Sequence, residues 1–311
     1  MTVDILMATF NGGKYLAEQL DSLARQTVSD WRLTVRDDGS TDDTVEILRA
    51  FQAKDPDRFR RIEDADGNLG PSRSFSRLLE RVSGAYVMCC DQDDVWLPNK
   101  IEGTLTAMQE LESRYGADTP LLVFSDARVV AEDLSPIADS LLRHHGIRRR
   151  TDFRFELGRV LMQNPVPGCS MMINRSLQQA VVPIPQEAVM HDWWCALTAV
   201  ILGKMHLFPA ATMLYRQHDR NVMGSPIGGL REWGRRIVRG DAVDLLLRRQ
   251  ERQAAALLAR YGDRLSHEQR NGIRAFSELH RTRFWRRRIH RIRYGFWYGG
   301  VFRNIGRLLL D

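Results

Sequence analysis

The feature that most narrows what this chain can fold into is its opening alternation. Val3 to Thr9 is an apolar run closed by the turn Phe10-Asn11-Gly12-Gly13, and Tyr15 to Gln26 then carries Leu16, Leu20 and Leu23 at helical spacing. Trp31 to Val35 repeats the strand pattern, ends in Arg36-Asp37-Asp38-Gly39-Ser40-Thr41-Asp42-Asp43, and leads into a second helix from Thr44 to about Lys54. Strand, helix, strand, helix in this order predicts a parallel sheet with right-handed crossovers. Ligands of open α/β sheets sit beyond the carboxyl ends of the strands. Polar residues just past each apolar run are therefore the first place to look for chemistry.

The richest such end follows Tyr86-Val87-Met88-Cys89-Cys90, where the chain continues Asp91-Gln92-Asp93-Asp94-Val95-Trp96. Three acids within four positions repel one another unless a cation or a set of donors offsets the charge, and hard oxygen ligands suit Mg²⁺ or Mn²⁺. Taken alone the segment reads equally well as a solvated turn with an Asp capping the next helix. Elsewhere the pattern predicts a short strand at Arg60-Arg61-Ile62, a helix from about Ser72 to Val82 after Asn68-Leu69-Gly70-Pro71, and Pro98 in the first turn of a helix through Ile101, Leu105 and Met108. Leu121 to Ser125 reads as a strand ending in Asp126, and Ser135 to Thr151 as a mobile basic loop. Val166 to Asn174 reads as a Gly-bearing turn into a strand, His191-Asp192-Trp193-Trp194 opens a helix through Leu202, and Lys204–Phe208 and Ala210–Tyr215 are two short strands.

Charge divides the chain. Residues 231–311 hold 20 Arg against 8 acids, whereas residues 1–230 hold 25 basic against 31 acidic residues. The expected division is residues 1–228 as an α/β domain and 229–311 as a helical, Arg- and aromatic-rich region. That tail interleaves Arg with Trp, Phe and Tyr, as in Arg283-Phe284-Trp285-Arg286-Arg287-Arg288, without any nucleic-acid motif. Nucleic acid is therefore not an expected partner; an anionic membrane surface, packing on the chain itself, or a second subunit in a homodimer are. Cys89, Cys90, Cys169 and Cys195 show no metal or redox spacing, and the adjacent pair cannot readily bridge, which points to a reducing cytoplasm. The first residues lack a basic leader with a long apolar core, so no signal peptide is expected, and no apolar run is long enough to span a bilayer.

Several segments taken together resemble one family. Thr9-Phe10-Asn11, Asp37-Asp38-Gly39-Ser40-Thr41-Asp42, Asn68-Leu69-Gly70, Asp91-Gln92-Asp93-Asp94-Val95-Trp96, His191-Asp192 and Gln217-His218 follow the order and spacing of family 2 glycosyltransferases, most like the bacterial rhamnosyltransferases, over roughly residues 1–222. The resemblance implies a GT-A fold: a mixed, mainly parallel sheet flanked by helices, here with the basic helical appendage. It implies a nucleotide-diphosphate sugar donor, dTDP-L-rhamnose favoured and a UDP-sugar the alternative. The acceptor would be a glycan or lipid-linked oligosaccharide, and the enzyme would lie on the inner face of the cell membrane.

The same resemblance assigns residues. Thr9, Phe10 and Asn11 would flank the nucleotide, Asp38 would accept a hydrogen bond from the base, and Asn68, Gly70 and Arg73 would border the nucleotide or diphosphate. Asp93 would touch a divalent cation, with Asp91 on the ion or ribose, Gln92 on the nucleotide sugar, and His218 completing the metal or diphosphate site from the far end of the domain. Gly168 would let backbone approach the sugar. Asp192 would be the general base of an inverting displacement; the family usually has Glu-Asp there, so His191 is a departure. Each residue also has an ordinary reading: Asp38 as a turn carboxylate, Arg73 as a solvated helix Arg, His218 as a surface residue, Asp192 as an N-terminal helix acid. Trp193 and Trp194 offer a sugar-stacking face or simple core packing. Rival functions fit less well. A haloacid-dehalogenase hydrolase would place its acid pair after the first strand, a sugar nucleotidyltransferase would show a basic Gly-rich loop there, and a glycan-binding module would need neither the acid cluster nor Asp192.

Overall fold

A computed structural model describes residues 2–147, 157–219 and 240–298. The packing falls into two units: residues 1–141, 166–184 and 190–216, and residues 142–165, 185–189 and 217–311. The expected cut at 228/229 lies outside the described residues, as do 148–151 of the expected loop and the tail beyond 298.

The first unit is built on a nine-stranded sheet. Strands β1 (Val3–Thr9), β2 (Trp31–Asp37), β3 (Phe59–Ile62) and β4 (Tyr86–Cys90) run parallel in the order β3-β2-β1-β4. Helices α1 (Gly13–Ala24), α2 (Thr44–Lys54) and α3 (Pro71–Arg81) make the crossovers. Every residue of β4 and all but one of β1 are buried, as expected of strands covered on both faces. The chain lays β2 and β3 to one side of β1 and then places β4 on the other. The carboxyl ends of β1 and β4 thus flank a topological switch point, where a crevice opens.

Beyond β4 come β5 (Val95–Trp96), α4 (Lys100–Tyr115), β6 (Leu121–Val130), β7 (Pro136–Ala138) and the short α5 (Leu141–His144). After α6 (Leu157–Met162), which belongs to the second unit, follow β8 (Met171–Asn174), α7 (Arg175–Val181), α8 (His191–Leu202) and β9 (Lys204–Arg216). β8 lies antiparallel between β4 and β6, while β9 is parallel to β6 and carries β5 on its other edge.

Three expectations change for local reasons. Pro98 stands before α4 rather than inside it: Leu97 N donates to Thr212 O at 2.9 Å, so residues 95–97 are committed to the sheet and the helix starts after Asn99. The two short strands after Gly203 are one, β9, whose ladder with β6 slips from Ser125↔Phe208 to Asp126↔Ala211. Pro209, with no N–H to donate, lies at the slip. The loop from Ser135 is ordered at its start, since Ala131 N donates to Ser135 O at 2.8 Å and Ser140 Oγ to Asp126 Oδ2 at 2.6 Å.

The second unit joins α6 to α9 (Gly240–Tyr261), α10 (His267–Ser277) and α11 (Phe284–Tyr294) around Leu257, Ile273, Phe276, Leu279 and Phe296. Ser266 and Gln269 close α10 with a reciprocal capping box. Gln250 Nε2 donates to Met162 O at 3.2 Å, and Gly158 abuts the Tyr294 carbonyl, which explains why stretches upstream of the tail pack with it. Among the described residues no helix is long and apolar enough to cross a membrane.

Candidate active site at the carboxyl ends of the strands

The loops leaving β1 and β2 are laced together before any ligand is considered. Thr9, buried, donates through Oγ1 to Asp37 Oδ1 at 2.8 Å, and Ser40 N and Oγ donate to the same carboxylate. Asn11 takes a left-handed φ of 46°; its N–H donates to Ser40 Oγ and its Oδ1 accepts from Thr41 N at 2.8 Å. Phe10, exposed, exchanges two bonds with one side chain, donating to Gln92 Oε1 at 2.9 Å and accepting from Gln92 Nε2 at 3.1 Å. Gln92 is thereby the clip between the β1 and β4 ends, and a side chain on Gly12 would collide with it.

Asp38 is buried and heavily used. Leu69 N and Gly70 N each donate to one of its oxygens at 2.7 Å, and Arg36 pairs with Oδ1. These bonds take three of about four lone-pair sites, two on Oδ1 and one on Oδ2. Arg36, invisible as a functional residue in the sequence, is the hub. The residue is 1 % exposed, and its guanidinium grips Asp64 with two bonds of 2.9 Å, the Gly67 carbonyl at 2.9 Å and Ser74 Oγ at 3.0 Å. The loop 64–70 is therefore tied to the end of β2 by one cation. Asn68 and Arg73 lie exposed on that loop and on the first turn of α3.

At the end of β4 the acids separate into different environments. Asp94 is 1 % exposed, accepts Arg216 N on Oδ1 at 3.1 Å, and has no donor in hydrogen-bond geometry on Oδ2. It braces the loop; the cap position of α4 is Asn99. Arg216 also donates from Nε to the Asp93 carbonyl at 2.8 Å, pairs with Glu18, bonds the Glu132 carbonyl and lies over the Tyr15 ring, so β9 holds the acid loop by its backbone. Asp91 and Asp93 are half-buried. Burial first, then the charges of Asp93 and Asp192, push the Asp91 carboxyl up to about 7. Asp94 is likewise driven up, by burial and then by Asp93 and Asp91. Among the described residues, Asp91, Asp94 and Cys169 form a group whose ligand atoms lie within 4.8 Å of one another. The Cys169 thiol is pushed well above its usual range by burial, so it sits there protonated, a poor ligand for a hard cation. Lys100, fully buried over the Trp96 ring at 4.8 Å, lends positive charge toward Asp94 from below; burial lowers it to about 8.

Asp192 reaches the same place from the far side of the sequence. It sits in the first turn of α8, 8 % exposed, with Trp193 N donating to its Oδ1 at 2.6 Å, and its charge raises Asp91, Cys89 and Cys195. Gly168 packs on this helix start: a side chain there would press on His191 Nε2 at 3.0 Å and on Asp192 at 3.4 Å. His191 is buried and stacked on Phe75 at 4.1 Å; burial pushes it down to about 3, so it is neutral and carries no charge to the site. Trp193 and Trp194 are both buried, so their rings serve the core rather than an open stacking face. His218 is half-buried, two residues past β9, and falls in the second unit.

Two outcomes follow from these environments. Arg36→Met leaves Asp38 and Asp64 facing each other without their cation, and urea unfolding should show a loss of about 3–5 kcal/mol; a loss below about 1 kcal/mol would mean that the hub is dispensable. For Asp91 the folded carboxyl titrates above its unfolded value of 3.8, so folding takes up a proton between roughly pH 4 and 7 and stability falls as pH rises through that window. Asp91→Asn removes the penalty. In EDTA it should be more stable than the parent at pH 8, by on the order of 1–2 kcal/mol given the partial exposure, with the gain vanishing near pH 4. Equal stability at pH 8 would contradict the crowding described.

Comparison with known proteins agrees with this geometry. The chain is 25 % identical over 232 residues to the dTDP-rhamnosyl transferase RfbG of Shigella flexneri, covering 71 % of this chain and 74 % of that protein. In fold it resembles S. aureus TarS 1-349, solved in complex with UDP-GlcNAc, at a TM-score of 0.59 and 15 % identity over 89 % of this chain and 71 % of that one. It also resembles the mannosyltransferase PcManGT of Pyrobaculum calidifontis, solved with GDP-Man and Mn²⁺, at a TM-score of 0.55 and 16 % identity over 94 % and 73 % of the two chains. The model of glycosyl transferase family 2 matches residues 4–177, which hold the switch-point crevice and the acids of β4. The chain belongs to glycosyl transferase family 2.

Proposed function

We propose that this glycosyltransferase moves a sugar from a nucleotide-diphosphate donor to a glycan or lipid-linked acceptor of a bacterial surface polysaccharide, with inversion at the anomeric carbon. The observation that carries the reading is the convergence of Asp91, Asp93 and Asp192 on the carboxyl end of β4, at the sheet's switch point. The likeness to a dTDP-rhamnosyl transferase favours dTDP-L-rhamnose over a UDP-sugar. The basic composition of residues 231–311 supports a place on the inner face of the membrane.

The acid cluster fits a hard divalent cation. Its chemistry is carboxylate oxygen, and the Asp91 carboxyl, raised to about 7 by burial and neighbouring acids, is of the kind whose charged form a bound cation would favour. Asp93 and Asp91 would hold Mg²⁺ or Mn²⁺; the bound ion would neutralise charge on the departing diphosphate. The remaining work falls to the chain. Asp38, presented by Arg36 and the loop amides, takes the base, with Thr9, Phe10, Asn11 and Gln92 shaping that wall and Asn68 and Arg73 the diphosphate side. Gly168 keeps the approach to Asp192 clear. The acceptor oxygen bonds to the anomeric carbon as the bond to the diphosphate breaks and its electron pair leaves with the phosphate. Asp192 accepts the hydroxyl proton.

A panel of nucleotide sugars with and without Mn²⁺ or Mg²⁺ tests this directly, run on the parent and on Asp192→Asn. Cation-dependent release or transfer from one donor should fall by about 10²–10⁴-fold in the variant while nucleotide binding persists. Normal turnover in Asp192→Asn removes that residue from the mechanism, and silence toward every sugar removes the transferase reading of the crevice.

A further inference from the structure

Helix α11, Phe284-Trp285-Arg286-Arg287-Arg288-Ile289-His290-Arg291-Ile292-Arg293-Tyr294, presents a surface that the transfer chemistry does not use. Trp285, Ile289 and Ile292 are spaced i, i+4 and i+7, so they share one face, and they are 71 %, 59 % and 66 % exposed. The other side of the helix packs inward. Arg291 is buried, Arg287 Nη2 donates to the His280 carbonyl at 3.1 Å, and Tyr294 rests on Phe296 with ring centres 5.8 Å apart. An exposed apolar residue on its own needs no explanation, but a stripe of three large ones does.

Charge says what the stripe meets. Helical spacing puts Arg286 and Arg293 on one flank of it and Arg288 on the other, the last lying over the Phe284 ring at 3.9 Å and the Trp285 ring at 5.4 Å. From Leu279 to Tyr298 the chain has seven Arg and no acid. Along the Arg286 flank opens a groove of about 770 Å³ lined by Arg281, Arg283, Arg286, Ile289 and His290, with Glu278 and Thr282 completing it. A single-stranded nucleic acid would want stacked aromatic platforms along a basic track. Here two of the three outward residues are aliphatic, which suits an acyl layer, and the Arg flanks suit the phosphate plane above it.

We propose that α11 is an interfacial helix for an anionic phospholipid bilayer: Trp285, Ile289 and Ile292 enter the acyl boundary, and the Arg281-Arg283-Arg286 groove takes the phosphate of a lipid headgroup. The assignment rests on the membrane-surface part of the proposed function and is independent of the donor chemistry.

Co-sedimentation of the full chain with vesicles tests it, comparing phosphatidylcholine alone with phosphatidylcholine mixed with phosphatidylglycerol. The unaltered chain should bind the mixed vesicles and leave the neutral ones. Arg281→Gln/Arg283→Gln/Arg286→Gln should weaken binding on the order of 100-fold, and Trp285→Ser/Ile289→Ser/Ile292→Ser should leave only a weak attachment that salt abolishes. If the full chain binds mixed vesicles and both triple variants bind them equally, the membrane reading stands and this helix is not the site; if the full chain ignores both vesicles, both readings fail. A single-stranded oligonucleotide that binds as tightly as the vesicles and is lost in the Arg variant overturns the lipid assignment, as does inorganic phosphate displacing the chain from them. Should a triple variant fail to fold, brominated lipid supplies an independent reading. It should quench the unaltered chain, with its seven Trp, more than Trp285→Phe, and equal quenching would overturn the proposal.

Discussion

Mutual repulsion among carboxylates at the end of β4 is the interaction around which the first unit is arranged. Asp91, Asp93 and Asp94 arrive together on one loop, Asp192 comes in from α8, and burial raises Asp91 to about 7 and drives Asp94 upward as well. Charge of one sign held this close lowers stability unless something of opposite charge offsets it. The surroundings offset only part of it. Arg216 spends its bonds on the Asp93 carbonyl and other partners while its backbone N–H serves Asp94, and Lys100 acts from beneath. Asp91 and Asp93 stay half-buried at the border of the crevice.

Position follows from topology. Because the parallel strands grow in one direction from β1 and then resume on its other side with β4, the loops after these two strands diverge and leave room between them. The Gln92 side chain bridges that room by two bonds to the Phe10 backbone, and Arg36 draws the 64–70 loop onto Asp38. One guanidinium fixes the edge where the base is proposed to sit; another fixes the acid loop where the cation is proposed to sit. Both are buried, so each positions its loop rigidly at the expense of desolvation.

How much of this was legible in the sequence depends on the range of the interaction. The parallel block could be read from the spacing of apolar runs, because β1, β2 and β4 are buried on both faces and local pattern reports that directly. Acids at strand ends were legible for the same reason, since a short polar stretch after a buried run must lie at the sheet's edge. Arg36 was not: it looks like one more charged residue before Asp37-Asp38, and its partners Asp64, Gly67 and Ser74 lie about thirty to forty residues away. Arg216 was hidden in the same way by its distance from Asp93 and Asp94, although it adjoins the Gln217-His218 pair that drew attention. Cys169 looked like a free buried thiol, and only the fold brings it between Asp91 and Asp94. The Pro98 misplacement shows the limit of local rules, because the pairing of Val95 and Trp96 with β9 delays the helix.

The affinity of dTDP and UDP measured calorimetrically with Mn²⁺ or Mg²⁺, and again in EDTA, for the parent and for Asp93→Asn, reaches the central claim most directly. The nucleotide should bind about tenfold or more tightly with the cation than without it, and the difference should be lost in Asp93→Asn. Affinity unchanged by EDTA, or a cation effect that survives intact in Asp93→Asn, would contradict the account of the acids at β4 as the seat of the metal and diphosphate.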